Sequence, residues 1–136
     1  MRKRNIVIVV LLIAALGAYL GFRMYSAEVP NAAGQAPELA VDAKALYEAF
    51  STDERVAGER YNDKVVEVTG TVREVTKGPD GRVNILLETG DALGAVVCEF
   101  PDGEAVEAAV NSTVAIKGYC AGFNMDVLLQ RCALIR

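Results

Sequence analysis

Three cysteines and a complete absence of histidine limit the chemistry that this chain can perform. Cys98, Cys120 and Cys132 lack the short Cys-x-x-Cys spacing of structural zinc sites, and no histidine is present to complete a set of metal ligands. Histidine is also the usual general base at neutral pH. The sequence therefore predicts no metal site, no cofactor and no enzymatic activity.

Basic and aromatic side chains could instead bind phosphate groups and stack on bases. The candidate ligand-binding residues of this kind are Arg73, Lys77, Arg82, Lys117, Tyr119 and Phe123. Acidic residues lie among them, and the chain from Glu38 onward contains seventeen acidic and ten basic residues. Because an acidic domain repels a phosphate backbone, the composition argues against nucleic acid as a partner.

An apolar segment near the N-terminus is the first element of the chain. A basic tripeptide at residues 2–4 precedes an uncharged run at residues 6–22, which as a helix would extend about 26 Å, close to the thickness of a bilayer core. Basic residues beside a membrane segment stay in the cytoplasm. We predict a single-pass transmembrane signal anchor at residues 6–25, with residues 1–5 cytoplasmic and the C-terminal domain periplasmic or extracellular.

The residues after this run bear on whether it is cleaved. A cleaved signal peptide would carry a small-x-small site directly after the apolar run. Arg23, Met24 and Tyr25 stand there instead. The sequence thus favours an uncleaved anchor, with a cleaved signal peptide as the alternative.

A linker is expected at residues 26–40, because Pro30, Gly34 and Pro37 interrupt regular structure and small polar residues fill the rest. Such a segment would let the following domain, at residues 41–136, stand a little off the membrane. About 100 residues suffice for one domain with one core.

The domain reads mainly as β-structure. Residues 65–72 alternate apolar and polar side chains around Gly70, and residues 113–120 repeat the pattern around Gly118. Five strands of this kind are predicted at residues 65–76, 82–88, 94–100, 113–120 and 126–135. The alternation slips at Gln130-Arg131, which indicates a bulge.

Helices are expected at three places in the domain. Asp42 can cap a helix from Ala43, and Ser51 with Glu54 has the spacing of a capping box for a second helix to about residue 60. A short helix is predicted at residues 104–110, with Val106 and Val110 facing inward. Three strands, a helix, then two strands is the order of the five-stranded OB-fold barrel.

In such a barrel the third and fifth strands are neighbours, which would bring Cys98 close to Cys132. Two roles stay open for the cysteines. They can be small buried residues of the core, or Cys98 and Cys132 can form a disulfide in an oxidising compartment.

Several residues give the chain a resemblance to a known family. They include Leu46-Tyr47 with Phe50, the segment Lys-Val-Val-Glu-Val-Thr-Gly-Thr-Val at residues 64–72, and Lys117-Gly118 with Cys120. From about residue 41 to residue 136 the chain resembles the bacterial OB-fold family called tRNA-anticodon-binding-like. The resemblance implies an OB fold in an exported or membrane-attached protein, and it carries no catalytic residues.

We therefore expect a membrane-anchored, extracytoplasmic OB-fold module that is not an enzyme and binds an envelope protein or a small ligand. The first hairpin, residues 77–82, and the loop at residues 121–125 are where this fold usually binds. The alternative is a protein that binds single-stranded nucleic acid or oligosaccharide.

Overall fold

A computed structural model describes residues 2–25 and 30–135. The first element, α1 (Arg2–Tyr25), is an exposed α-helix with a mean hydropathy of 2.4 over its most apolar window. Twenty-four residues extend about 36 Å as a helix. By length and composition, α1 is long and apolar enough to cross a membrane.

Five strands form a closed barrel: β2 (Val65–Lys77), β3 (Val83–Leu87), β4 (Val96–Phe100), β5 (Thr113–Asn124) and β6 (Asp126–Ile135). They are hydrogen-bonded in the order β2-β3-β4-β6-β5, and β5 pairs again with β2. The β4–β6 pair is parallel and the other pairs are antiparallel. The predicted mainly-β OB-fold barrel is confirmed.

Two helices close one side of the barrel, as predicted. In α2 (Ala43–Thr52), the Asp42 carboxylate accepts a hydrogen bond from the backbone N–H of Lys44 at 2.9 Å. In α3 (Glu54–Tyr61), the cap is Asp53 rather than Ser51, and its carboxylate accepts from the N–H of Val56 at 3.1 Å. A carboxylate is a strong N-cap, which explains why the second helix starts later than expected.

Helix α2 packs on the barrel where β2 bends. A Cβ atom at Gly70 would lie 2.8 Å from the Cβ of Ala43, so only glycine permits this close approach. Leu46 and Phe50 of α2 are fully buried over the apolar interior of the barrel. The alternating pattern read in β2 places Val66, Val68 and Val72 in the same core.

Part of the predicted linker belongs to the domain. Ala32, in the short 3-10 turn Ala32–Gly34, is fully buried, and β1 (Leu39–Asp42) pairs in parallel with β2. The Lys117 ammonium donates hydrogen bonds to the carbonyls of Ala33 at 2.8 Å and Gln35 at 3.0 Å. The prolines and the glycine of this segment disfavour an α-helix, but its backbone groups still form hydrogen bonds with the barrel. Residues 26–29 of the predicted linker lie outside the described residues.

The predicted helix at residues 104–110 is wrong. In the described part of the chain, residues 101–112 form a loop in which Val106 and Ala108 pack against the core, while Val110 is 52% exposed. A seven-residue helix is marginal in isolation. Alternate positions are half-buried along this stretch, so an extended chain covers the barrel end better than a helical face would.

Three register shifts interrupt the barrel strands: one lies at Ala121 of β5, between Cys120 and Gly122, and the other two lie at arginines. The register of β2 against β3 shifts between Val72 and Glu74, which leaves Arg73 as the extra residue. The register of β6 against β5 shifts near Arg131, whose φ is 52°. The slip predicted at Gln130-Arg131 is thus confirmed, and it turns both Leu129 and Cys132 toward the core.

Candidate functional site

Arg73 is bound within the domain. Its guanidinium donates two hydrogen bonds of 2.9 Å to the Glu88 carboxylate and further bonds to the carbonyls of Asp91 at 2.8 Å and Gly94 at 3.1 Å. The hydrogen bond with Glu88 raises the pKa of Arg73 and lowers the pKa of Glu88. Arg73 therefore fastens the loop between β3 and β4 to the bulge of β2.

Further hydrogen bonds and packing hold the loop between β3 and β4 in place. The Asp91 carboxylate accepts from the backbone N–H groups of Leu93 at 2.8 Å and Gly94 at 3.0 Å, and these bonds lower the pKa of Asp91. The Thr89 hydroxyl donates to the Gly94 carbonyl at 2.7 Å. A Cβ atom at Gly94 would overlap the Tyr47 ring, so the loop lies directly against α2.

Two of the other predicted basic residues also have partners. Arg82 forms ion pairs with Asp80 at 3.4 Å and Glu99 at 3.0 Å, and Lys117 holds the segment around the 3-10 turn as described above. Lys77 ends β2 with an exposed side chain and makes no ion pair within the described residues.

The two predicted aromatic residues are similarly engaged. The Arg131 guanidinium lies over the Tyr119 ring, 3.9 Å from its centroid. Phe123 stacks on Phe50 with ring centroids 5.8 Å apart and meets the edge of Tyr47 at 5.9 Å. The six residues chosen from the sequence do not form one site, and their role in ligand binding stays a prediction.

A row of apolar side chains crosses the outer surface of the barrel instead. Leu86 of β3 pairs with Val97 of β4, and Val97 pairs with Leu128 of β6. All three side chains are half-buried and point away from the core. We call Leu86, Val97 and Leu128 the outer row. Each stands at an outward position of its strand, but only the register shows that the three are adjacent.

Acidic and polar residues flank the outer row. Glu74 pairs with Leu86 on one side, and the neighbouring pair along β3 and β4 is Asn84 with Glu99. The Asn84 amide oxygen is buried without a hydrogen-bond partner in the part of the chain that the structure describes. This surface therefore combines an apolar centre with a polar rim, as protein-binding surfaces do.

The outer row leads to an exposed end of the barrel. A pocket of about 280 Å³ is lined by Val97 and Leu128 together with the β5–β6 turn. Met125 in this turn is 69% exposed and adopts a φ of 63°, a left-handed conformation that a methionine rarely takes. Leu93, 83% exposed, lies in the neighbouring loop. The Asp126 carboxylate links loop and turn by accepting the N–H of Ala95 at 2.7 Å.

The cysteines are buried thiols in this structure. Cys98 and Cys132 are in mutual contact, and burial together with Cys98 raises the pKa of Cys132 well above its usual value. Burial also raises the pKa of Cys120, whose thiol donates to the Asn62 side-chain oxygen at 3.6 Å. Neutral buried thiols are poor nucleophiles. The disulfide between Cys98 and Cys132 stays a prediction.

Two solved structures are similar to this chain to different degrees. A crystal structure from Klebsiella pneumoniae subsp. pneumoniae, described as a "putative nucleic acid-binding lipoprotein", matches with a TM-score of 0.58 and 14% identity over 71% of this chain and 92% of its own. A "putative aspartyl-tRNA synthetase" from Leishmania major Friedlin has a TM-score of 0.44 and 14% identity, covering 78% of this chain and 22% of its own.

No curated protein sequence matches the chain. The likeness to the Klebsiella structure, at 14% identity, establishes a shared fold and no more. The family comparison reaches further, since residues 1–134 match the tRNA_anti-like model. With a closed five-stranded barrel of OB topology and a match over nearly its whole length, the chain belongs to the tRNA_anti-like family.

Proposed function

We propose that this protein is a membrane-anchored, extracytoplasmic binding module that performs no catalysis. Helix α1 would anchor it, and the barrel would bind an envelope protein through the outer row of Leu86, Val97 and Leu128. The length and apolar composition of α1 support the anchor. The basic residues at its N-terminal end support a cytoplasmic N-terminus and an external barrel.

The outer row is the observation that carries the proposal. Three apolar side chains meet on adjacent strands, with polar and charged residues on either side of the row. Burying such a row against a complementary surface removes apolar area from water, while the polar rim gives specificity. Glu74, an exposed residue beside Leu86 that forms no ion pair in the described part of the chain, favours a partner with a basic residue next to its apolar contact. A small apolar ligand could instead occupy the 280 Å³ pocket at the end of the row.

Single-stranded nucleic acid or oligosaccharide is the second candidate. It is suggested by the OB fold and by the similar Klebsiella protein, which is described as a "putative nucleic acid-binding lipoprotein". Such ligands stack on exposed aromatic rings and follow a basic groove. Here Tyr119 is covered by Arg131, Phe123 packs on Phe50, and Arg73 and Arg82 are paired with carboxylates. These contacts favour the protein partner.

A comparative affinity purification tests the protein partner. The tagged full chain is cross-linked in cells, solubilised in mild detergent and purified beside Leu128→Ser and Val56→Ser variants. Val56 is the matched control because it is an apolar residue, 49% exposed, on α3. We expect Leu128→Ser to reduce recovery of a discrete partner about tenfold, because one apolar contact is lost. Recovery of the partner with Val56→Ser should equal that of the wild type. Equal recovery from the two variants would contradict the proposal.

Salt-dependent retention on immobilised single-stranded DNA tests the second candidate. We expect the solubilised full chain to pass through the column even at low salt. Retention that falls steeply as salt rises would instead indicate phosphate contacts and would favour nucleic acid.

Orientation is tested with a reporter enzyme fused after Arg136. A phosphatase that is active only outside the cytoplasm should be active in this fusion, because the basic residues of α1 keep its N-terminal end inside. A fusion with activity only for a cytoplasmic reporter would overturn the proposed topology.

A further inference from the structure

A large open cleft lies between the segment that enters the domain and the loop after β4. Its volume is about 770 Å³, and Pro30, Gln35, Asp102, Glu104 and Arg131 are among the residues that line it. A second pocket of about 380 Å³, lined also by Arg82 and Glu99, shares Arg131 and Asp102 with it. We call the joined space the Arg131 cleft.

Arg131 is suited to bind an anion in this cleft. The bulge of β6 places it at a φ of 52°, and its guanidinium carbon lies over the Tyr119 ring, 3.9 Å from the centroid. Within residues 2–25 and 30–135 it donates one hydrogen bond, from Nη1 to the Pro30 carbonyl at 3.3 Å. A guanidinium has five N–H donors, so most of them remain for a phosphate or carboxylate.

Carboxylates stand in the same cleft. Asp102 and Glu104 both line it, and neither forms an ion pair in the described part of the chain. A purely anionic ligand would be drawn to Arg131 but repelled by these two groups. A ligand that carries an ammonium near its phosphate would satisfy both signs of charge.

The position of the cleft narrows the source of such a ligand. Pro30 lines the cleft, and Tyr25 ends α1, so five steps of the chain separate the two residues. Even fully extended, five steps cover about 18 Å. Because residues 30–42 dock on the barrel rather than acting as a free linker, the cleft is held within reach of lipid headgroups at the end of α1.

We propose that the Arg131 cleft binds the headgroup of a phosphoethanolamine lipid, with the phosphate on Arg131 and the ammonium between Asp102 and Glu104. This inference rests on the proposed membrane anchoring, and it gives the barrel a fixed orientation to the bilayer. Phosphocholine lipids lack the ammonium N–H donors, and phosphoglycerol lipids lack the positive charge. Selectivity among the three headgroups therefore distinguishes recognition from general attraction.

Native mass spectrometry of the full chain in maltoside micelles measures this selectivity. Phosphatidylethanolamine, phosphatidylcholine and phosphatidylglycerol with identical acyl chains are added in turn, and the lipid retained per protein is counted. We expect phosphatidylethanolamine to be retained most. Arg131→Gln should reduce its retention about tenfold, because charge-assisted hydrogen bonds to the phosphate are lost. The double variant Asp102→Asn with Glu104→Gln should remove the preference for phosphatidylethanolamine over phosphatidylcholine.

Arg55→Gln is the matched control, because Arg55 is an exposed arginine that pairs with Glu59 on α3. Soluble glycerophosphoethanolamine should displace the retained lipid if the headgroup is what is recognised. Displacement by inorganic phosphate alone at the same concentration would show a simple anion site and overturn the proposal. Equal retention of the three lipids, unchanged by Arg131→Gln, would show only lipid held by α1 and would also overturn it.

Anchoring is measured separately by washing membranes with alkaline carbonate. Release of the chain by this wash would refute the anchor, whereas headgroup selectivity in micelles needs no bilayer and is read independently. A thermal melt of each variant confirms that it folds before its lipid retention is compared.

Discussion

Two arginines occupy β-bulges of the same barrel, and their surroundings differ. Arg73, at the bulge of β2, donates hydrogen bonds to Glu88, Asp91 and Gly94. Arg131, at the bulge of β6, donates one hydrogen bond and otherwise rests on Tyr119 beside an open cleft. A bulge re-aims one side chain in both cases, but one arginine completes the fold and the other remains available to a ligand.

The difference lies in what surrounds each guanidinium. The β3–β4 loop supplies a carboxylate and two carbonyls around Arg73, which is 23% exposed in its side chain. Carboxylates line the cleft beside Arg131, but none of them forms an ion pair with it in the described part of the chain. Residue type alone thus does not separate an arginine with its hydrogen bonds made inside the fold from one that lies beside an open cleft.

The largest expected effect concerns the β6 bulge, which also turns Cys132 toward Cys98. If the two form a disulfide in the oxidising envelope, reducing it should lower the free energy of unfolding by about 3–4 kcal/mol, because it closes a long loop. The disulfide would form by thiol–disulfide exchange. The two thiols lose their hydrogens, and the disulfide of an oxidised dithiol catalyst takes them up and becomes a dithiol. Thiol counting under denaturing conditions should find one free thiol, that of Cys120, without reductant and three with it. Three free thiols without reductant would leave the cysteines as packing residues.

Removing each arginine tests the comparison directly. Arg73→Gln should cost about 2 kcal/mol of unfolding free energy, because it removes a charged partner and two carbonyl hydrogen bonds, one of them part-buried, from the β3–β4 loop. Arg131→Gln should cost less than about 1 kcal/mol, since it loses one long hydrogen bond and a ring contact. Urea unfolding of the two variants measures both free energies. Similar losses of unfolding free energy would contradict the proposed difference between the two arginines.

The pH dependence of stability sharpens the same contrast. The pKa of Glu88 is lowered by Arg73 and that of Asp91 by backbone N–H groups and Arg73, so both carboxylates are more acidic in the folded state. Their stabilisation is present above their unfolded pKa values of about 4.3 and 3.9, and it is lost as pH falls through the lower folded values. The gap in urea midpoint between wild type and Arg73→Gln should therefore narrow below about pH 4.5. If the difference in urea midpoint stayed constant down to pH 3, the charges of Glu88 and Asp91 would not stabilise the fold through Arg73.

The barrel was predictable because its strands alternate cleanly and its glycines mark where they bend. The hydrogen bonds of Arg73 to Glu88 and Gly94 could not be predicted from the sequence, because these residues approach Arg73 only when β2, β3 and β4 are in register. The outer row was hidden for the same reason, because Leu86, Val97 and Leu128 lie on three separate strands. The loop at residues 101–112 was mistaken for a helix because Val106 and Val110 have helical spacing. The docking of residues 30–42 depends on backbone hydrogen bonds, which composition does not reveal.

Site-specific photo-cross-linking tests the central claim, that the outer row binds an envelope protein, most directly. A photoreactive residue is placed at Val97 of the full chain in living cells, and at Glu48, an exposed residue of α2, as the control. We expect a discrete protein adduct from position 97 that is absent from position 48 and is lost when Leu128→Ser is added. An adduct with nucleic acid at position 97, or the same protein adduct from both positions, would contradict it.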